Sequence, residues 1–278
     1  MAEILTLSFK SRRFVVGFVL FILVLGFAFV GPMIHDQDPT QAVGGLYNAP
    51  SVKAPLGTDN LGHDVLSQLM HGTKTSLLVG LIAGIVAIVI GVAVGSLAGY
   101  LGGIADEILM GLTNVFITIP PIVFLILLSV SVTNRSAIGM GVIIGMTGWP
   151  WTARAVRAQA SSLRTRGHVD LARITGISTV EMVIKEILPY MFSYIFMAFI
   201  LQLTGAIANE ATLSMLGLGP SNVVSLGMML HWALLWEAVR VGAWWAFVPP
   251  VIFLTVISFS LMLMNSGMDE IFNPRLRK

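Results

Sequence analysis

The sequence predicts an all-α polytopic membrane protein with six transmembrane helices. Three observations carry that reading. Of the 278 residues, 56% are hydrophobic and only 11% charged, against roughly 25% charged in an average soluble domain. Long apolar runs recur along the whole chain, and the basic residues are distributed unevenly between them. A spanning helix needs about 20 mostly apolar residues, because a backbone in lipid must satisfy its hydrogen bonds within the segment itself.

The first run, Phe14–Ile34, follows Lys10, Arg12 and Arg13. It has the flanks of a signal peptide, but no small-residue cleavage site follows and Gly31-Pro32 closes it, so it reads as a retained signal anchor. With an external loop from about His35 to Lys74 it makes up an N-terminal unit, residues 1–75. The second run, Ser76–Leu101, carries Gly80 and Gly84, then Gly91, Gly95 and Gly99. That four-residue spacing gives one helical face on which a neighbouring backbone approaches closely, within the subunit or at a subunit interface. The third run, Ile108–Val132, contains Pro120-Pro121, which removes two backbone donors and predicts a kink or a local break. The fourth, Ile138–Ala153, is the shortest and repeats the small-residue spacing at Gly141 and Gly145.

A polar stretch from about Arg154 to Pro189 precedes the fifth run, Tyr190–Ile207. Just beyond that run stand Asn209 and Glu210, whose carboxylate either lines a path or caps and orients the following turn. Around the next external stretch, Leu216–Ala243, are Trp232, Trp236, Trp244 and Trp245. These read first as an interfacial aromatic belt and second as a short re-entrant helix. The sixth run, Trp244–Asn265, has Pro249-Pro250 near its start and therefore a second expected kink. Residues 76–268 form the membrane core, with 154–189 as its cytoplasmic segment, and residues 269–278 form a tail.

With the N-terminus cytoplasmic, twelve basic residues fall inside: Lys10, Arg12, Arg13, Arg154, Arg157, Arg164, Arg166, Arg173, Lys185, Arg275, Arg277 and Lys278. Four fall outside: Lys53, Lys74, Arg135 and Arg240. Cytoplasmic loops are enriched in Lys and Arg, so this distribution favours six spans with both termini in the cytoplasm, in a cell membrane. Five or seven spans would move the basic C-terminal tail outside.

Several function classes are excluded by what the chain lacks. No glycine-rich loop ends in Lys-Ser/Thr, so the chain has no nucleotide-binding P-loop and is not expected to be an enzyme. It has no cysteine; His63 and His71 lack the spacing and carboxylate partners of a zinc site and read as polar loop residues. A net charge of +2 does not suggest a nucleic-acid partner; the lipid bilayer is the surface this composition fits. An ion-coupled secondary carrier, the rival class, places ionisable groups inside its spans, and these spans carry almost none apart from the peripheral Glu210.

The segment after the fourth run reads Gly167-His168-Val169-Asp170-Leu171-Ala172-Arg173-Ile174-Thr175-Gly176, then Glu186-Ile187-Leu188-Pro189. This is a pattern of helix, glycine break, helix and proline stop. Ala172 and Gly176, four residues apart, would share a small-residue face suited to a partner protein. The segment resembles the EAA loop of ABC importer permeases at Asp170, Leu171, Ala172, Gly176, Leu188 and Pro189, with Asp in place of the usual Glu and Leu in place of Ala. Leu56-Gly57-Thr58-Asp59-Asn60-Leu61-Gly62-His63-Asp64-Val65-Leu66-Ser67 is similar to the LGTDxLGRDxLSR block of the dipeptide, oligopeptide and nickel permease family, with His63 and Gln68 replacing the arginines. Leu213–Gly219 and Asn273–Arg277 are similar to that family's LSFLGLG and DPRLR blocks, as found in the second of its two permease subunits.

This resemblance implies a type I ABC importer permease fold and half of a membrane heterodimer. Its partners would be a homologous second permease, two ABC ATPase subunits and an extracellular solute-binding protein. ATP and Mg would be used by the ATPases, with no cofactor on this chain. The six EAA-like residues would couple hydrolysis to alternating access. Di- or oligopeptides are the solutes the resemblance implies first, with nickel or oligosaccharides as alternatives; the residues that touch the solute stay unassigned.

Overall fold

The computed structural model describes residues 11–132 and 135–272, and the regular elements among them are helices. Lys10, Arg275, Arg277, Lys278 and the Asn273–Arg277 block lie outside the described residues. Helix α1 (Arg12–Phe29) starts at Ser11, whose Oγ accepts the Phe14 N–H. A single turn, α2 (Gly31–Ile34), follows. The loop then folds into a compact cap before α3 (Val65–Leu101).

Helix α3 is 37 residues long, about 55 Å at 1.5 Å per residue, and begins eleven residues earlier than its apolar run. The expected loop to Lys74 therefore gives up its last ten residues to helix, His71 among them, and the boundary at 75 and 76 falls inside α3. Asp64 sets the start: its Oδ2 accepts the Ser67 N–H at 2.9 Å, satisfying one of the donors a helix N-terminus leaves open. Ser67 Oγ donates to Gln37 O at 2.5 Å and Gln68 Nε2 donates to Asp59 Oδ2 at 2.8 Å. These polar side chains are buried against the cap, so the first turns of the helix escape a reading based on hydropathy.

The third run forms two helices, α4 (Gly103–Thr118) and α5 (Pro121–Ser131), bent by 83° at the proline pair. Next come α6 (Ala137–Leu163), α7 (Gly167–Ile174) and α8 (Thr179–Met182). A π-helical turn, Val183–Ile187, then leads into α9 (Leu188–Met215). Finally α10 (Leu226–Leu235), a 3₁₀ turn at Trp244–Ala246 and α11 (Val248–Phe272) complete the described chain. Pro249 and Pro250 sit in the first turn of α11, where the missing N–H groups have no intrahelical partner to lose, so the expected kink is instead a helix start.

Glycines decide how the helices approach. A Cβ at Gly99 would lie 2.6 Å from Arg157 O, one at Gly91 would lie 2.5 Å from Thr152 Cβ, and one at Gly95 would collide with Ala153 O. In return, Gly141 and Gly145 of α6 receive Ile82 and Val86 of α3. Gly80 and Gly84 meet Ile207, Leu203 and Phe199 of α9. The glycine face thus serves packing within the subunit. Residue numbers rise together along α3 and α6, so these two helices are parallel, and the intervening α4–α5 pair must carry the chain back along the bundle.

Helices α1 and α11 close the bundle on each other. A Cβ at Gly17 would be 2.6 Å from Ser260 O, and one at Gly267 would be 2.5 Å from Phe14 N. Phe27 meets Phe253 with ring centroids 4.5 Å apart, so α1 and α11 run antiparallel. A core cluster joins Phe14, Val24, Leu69, Leu203, Leu226 and Leu261 across α1, α3, α9, α10 and α11.

Four helical segments are long and apolar enough to cross a membrane: 12–34, 65–101, 179–215 and 244–271. The bent α4–α5 pair makes a fifth if it counts as one span. Helix α6 has the length, at 27 residues, but Trp149, Pro150, Trp151 and Arg154 dilute its apolar run.

Candidate functional site

Helix α7 holds the first three of the six residues singled out by the EAA-like pattern. Val169 alone is buried on it. Leu171 and Ile174 are 69% and 83% exposed, so a short helix turns two large apolar side chains outward. Asp170 is exposed and pairs with Arg173 at 3.1 Å, an i,i+3 contact. Gly176 lies past the helix end with φ +75°, the left-handed conformation that stops helices and that glycine adopts without strain. It does not share a helical face with Ala172, and the outward surface is apolar rather than small-residue: Leu171 and Ile174 form it.

The expected proline stop is also absent. Pro189 sits in the first turn of α9, and the chain runs on from α8 through the π turn, where the Leu188 N–H reaches Val183 O. This wider turn takes up the residues that end in proline and keeps 179–215 one continuous segment. Leu188 and Pro189 line an apolar groove of about 840 Å³ against Val89, Val92 and Ser96 of α3. The EAA-like residues therefore fall in two places: Asp170, Leu171, Ala172 and Gly176 on the outward helix and its stop, Leu188 and Pro189 at the foot of α9. His168 joins them. Its ring stacks on Tyr190, centroids 4.2 Å apart and 30° between planes, and its Nε2 lies 3.3 Å from Glu186 O.

Glu210 and Asn209 have separate tasks. Glu210 is wholly buried; its Oε2 accepts from Ser76 Oγ at 2.8 Å and its Oε1 from Ser214 Oγ at 2.6 Å. Ser76 Oγ in turn accepts the Leu226 N–H at 3.2 Å, and Ser225 caps α10. The carboxylate thus joins α3, α9 and α10 and orients the turn that leads into α10. Helix α10 is buried along Leu226, Met229, Leu230 and Ala233. Trp232 packs on the core and Trp245 Nε1 donates to Thr58 O at 3.0 Å, while Trp236 and Trp244 are exposed. A packed short helix, not a row of four interfacial tryptophans, fills this stretch.

Asn209 faces a cavity of about 510 Å³ between α4, α5, α6 and α9. Its apolar lining includes Phe116, Ile117, Pro121, Trp151 and Leu201, and its polar side chains are Thr147, Arg154, Gln202 and Asn209. Arg154 Nη2 donates to Asn114 Oδ1 at 2.7 Å. Gln202 Nε2 donates to Gly148 O at 2.8 Å and Thr152 Oγ1 at 2.7 Å, bracing α6 on either side of Pro150. One turn beyond Arg154, Arg157 forms an ion pair with Asp106 that fastens α6 to α4. Sequence reasoning counts Arg154 only as a topogenic charge and passes over Gln202. Their signal is the proline pair, because a broken helix at mid-bundle is tolerated where it lines a cavity.

The block around Thr58 is architectural. Thr58 Oγ1 donates to Gly45 O at 2.7 Å, and Asp59 Oδ1 accepts the N–H groups of Leu61 and His63 at 2.8 Å each. His63 Nδ1, 3.0 Å away, and Gln68 Nε2 both meet Asp59 Oδ2. The two residues that replace arginines thus converge on one carboxylate oxygen. No group of three or more His, Asp or Glu side chains suited to a metal occurs among the described residues.

Residues 91–278 match the family model described as binding-protein-dependent transport system inner membrane component. The chain belongs to this family. It is 31% identical over 277 residues to the oligopeptide transport system permease protein OppC of Bacillus subtilis, covering 98% of this chain and 89% of that protein. It is 30% identical over 274 residues to the dipeptide transport system permease protein DppC of the same organism, covering 97% and 84%. A putative peptide transport system permease of Brucella suis is 29% identical over 96% of this chain and 90% of its own length. Among solved structures, the inward-facing MetNI methionine ABC transporter matches with a TM-score of 0.54 at 20% identity, covering 72% of this chain and 96% of that one. The likeness establishes the fold as that of an ABC importer permease. This protein is a membrane-embedded, multi-pass permease component that works with other subunits of an ABC transporter.

Proposed function

We propose that this permease forms half of the path by which a binding-protein-dependent importer carries di- or oligopeptides. The observation that carries this reading is the near full-length similarity to the OppC and DppC permeases. Its complex contains a homologous second permease, two ATPase subunits that use ATP and Mg, and an extracellular solute-binding protein. In this reading the chain crosses the membrane six times, with α4–α5 and α6 as the third and fourth crossings and both termini cytoplasmic. The parallel packing of α3 and α6 supports that count. Residues 1–75 anchor the chain and cap the bundle, 76–268 form the transport core and 269–278 the tail.

Asp170, Leu171, Ala172 and Gly176 dock on an ATPase, and Leu188 and Pro189 pass its motion to α9. The exposed Leu171 and Ile174 support this, because two large apolar side chains on an eight-residue helix fit a groove in a partner, as in other helix-in-groove recognition. ATP binding draws the two docking segments of the heterodimer together and opens the path outward; hydrolysis resets it.

The test is co-purification of the tagged chain from its native membrane, followed by mass spectrometry, ATPase assay and peptide uptake in liposomes. Recovery of a second permease and ATPases, with ATP-dependent uptake stimulated by the binding protein, is the expected result. A complex that hydrolyses ATP but imports no peptide would refute the solute assignment.

A further inference from the structure

The cavity at the break between α4 and α5 joins a proline break to a charged side chain, Arg154. Pro120 and Pro121 have no N–H to give to the carbonyls four residues back, so the oxygens of Phe116 and Ile117 lose their usual α-helical donors. Both residues line the cavity. Among the described residues Arg154 is the only charged one in the lining, and no carboxylate among them offsets it there. Asn114 is its one hydrogen-bond partner among the described residues, which orients the guanidinium and leaves most of its five N–H donors for a ligand. Arg154 is the eighteenth residue of α6 and its side chain is exposed, open to a ligand that enters the cavity.

We propose that this cavity is a solute-binding station on the transport path and holds a short peptide by its carboxylate on Arg154. The freed carbonyls of the break and the Asn209 amide take peptide N–H groups, and Phe116 and Trp151 accommodate side chains. A planar guanidinium matches a carboxylate with two parallel hydrogen bonds, a geometry an amide terminus cannot reproduce. The cavity volume, about 510 Å³, falls in the range of small-ligand sites. This inference deepens the proposed function and rests on the peptide reading.

The test uses the whole permease–ATPase complex in nanodiscs without the binding protein, and the probes are tri-alanine and its C-terminal amide. Wild type is expected to bind the free acid more tightly. Arg154→Gln should weaken free-acid binding by about tenfold or more and leave amide binding unchanged, and Arg154→Lys should restore part of the preference. Weakening of both probes in equal proportion would assign Arg154 a structural role and overturn the proposal, as would an unchanged free-acid affinity. A parallel uptake assay of the wild-type complex with its binding protein separates the two claims. Import of tri-alanine with no effect of Arg154→Gln on binding overturns the station alone, whereas a wild-type complex that imports no peptide overturns the reading beneath it.

Discussion

The imidazole of His168 lies against the phenol ring of Tyr190, with centroids 4.2 Å apart and 30° between the ring planes. One ring belongs to the outward helix α7 and the other to the first turn of the long helix α9, so the contact ties an exposed helix to an element that lines the bundle. Stacked aromatic pairs contribute about 0.5–1.5 kcal/mol beyond their buried area. Tyr190→Ala is expected to leave the complex assembled and hydrolysing ATP while uptake per ATP falls severalfold; Tyr190→Phe keeps the ring and should keep coupling. Parallel measurement of hydrolysis and uptake in liposomes checks both.

Gly176→Trp should insert normally and uncouple hydrolysis from uptake. At φ +75°, with open space around the position, the substitution both strains the backbone and adds bulk beside the exposed helix α7. Gly176→Asn separates the two effects, since Asn tolerates the left-handed region. It should transport at close to the wild-type rate, and equal loss in both variants would remove bulk as the cause.

The α3–α6 contact admits no side chain at Gly99, where a Cβ would meet Arg157 O at 2.6 Å and Ala160 Cβ at 2.8 Å. Gly99→Leu is therefore expected to abolish folded protein in the membrane. By contrast, Gly111 and Gly26 have nothing within 4 Å of a Cβ, and Ala at either should be neutral or stabilising by about 0.5–1 kcal/mol through helix propensity. Yield after detergent extraction and thermal unfolding distinguish these outcomes.

Glu210→Leu leaves the Ser76 and Ser214 hydroxyls without their buried acceptor, a loss of about 1–3 kcal/mol for each unsatisfied group. Glu210→Gln keeps one carbonyl oxygen and should lower the melting temperature by less. A melting curve for each variant in the same detergent tests the order.

How far the fold is legible in the sequence depends on where polar residues sit. Apolar runs locate every long helix, but the ends are misplaced wherever polar side chains find protein partners. The first turns of α3 carry Ser67, Gln68 and His71, which hydropathy assigns to a loop; the cap built around Asp59 and Asp64 makes those positions helical. Pro189 and Pro249-Pro250 show the complementary error. Each reads as an interruption, yet Pro249 and Pro250 in a first turn remove no intrahelical bond, and at Pro189 the preceding π turn carries the helix past the missing N–H. The EAA-like segment is legible as a pattern, but its exposed surface is not, because which side of a short helix is left uncovered depends on Val169 finding the core. Arg154 shows in the sequence only as a charge, and the break at Pro120-Pro121 is what places a cavity beside it.

The antiparallel contact of α1 with α11 also sets an order of events during synthesis. Gly17 packs on the backbone at Ser260 and Gly267 on that at Phe14, so the inner face of α1 has its partner some 250 residues downstream. At 5–20 residues per second that interval is roughly ten to fifty seconds. Throughout it α1 lacks the backbone that fills its glycine notch, and the two helices cannot close on each other until α11 has been made.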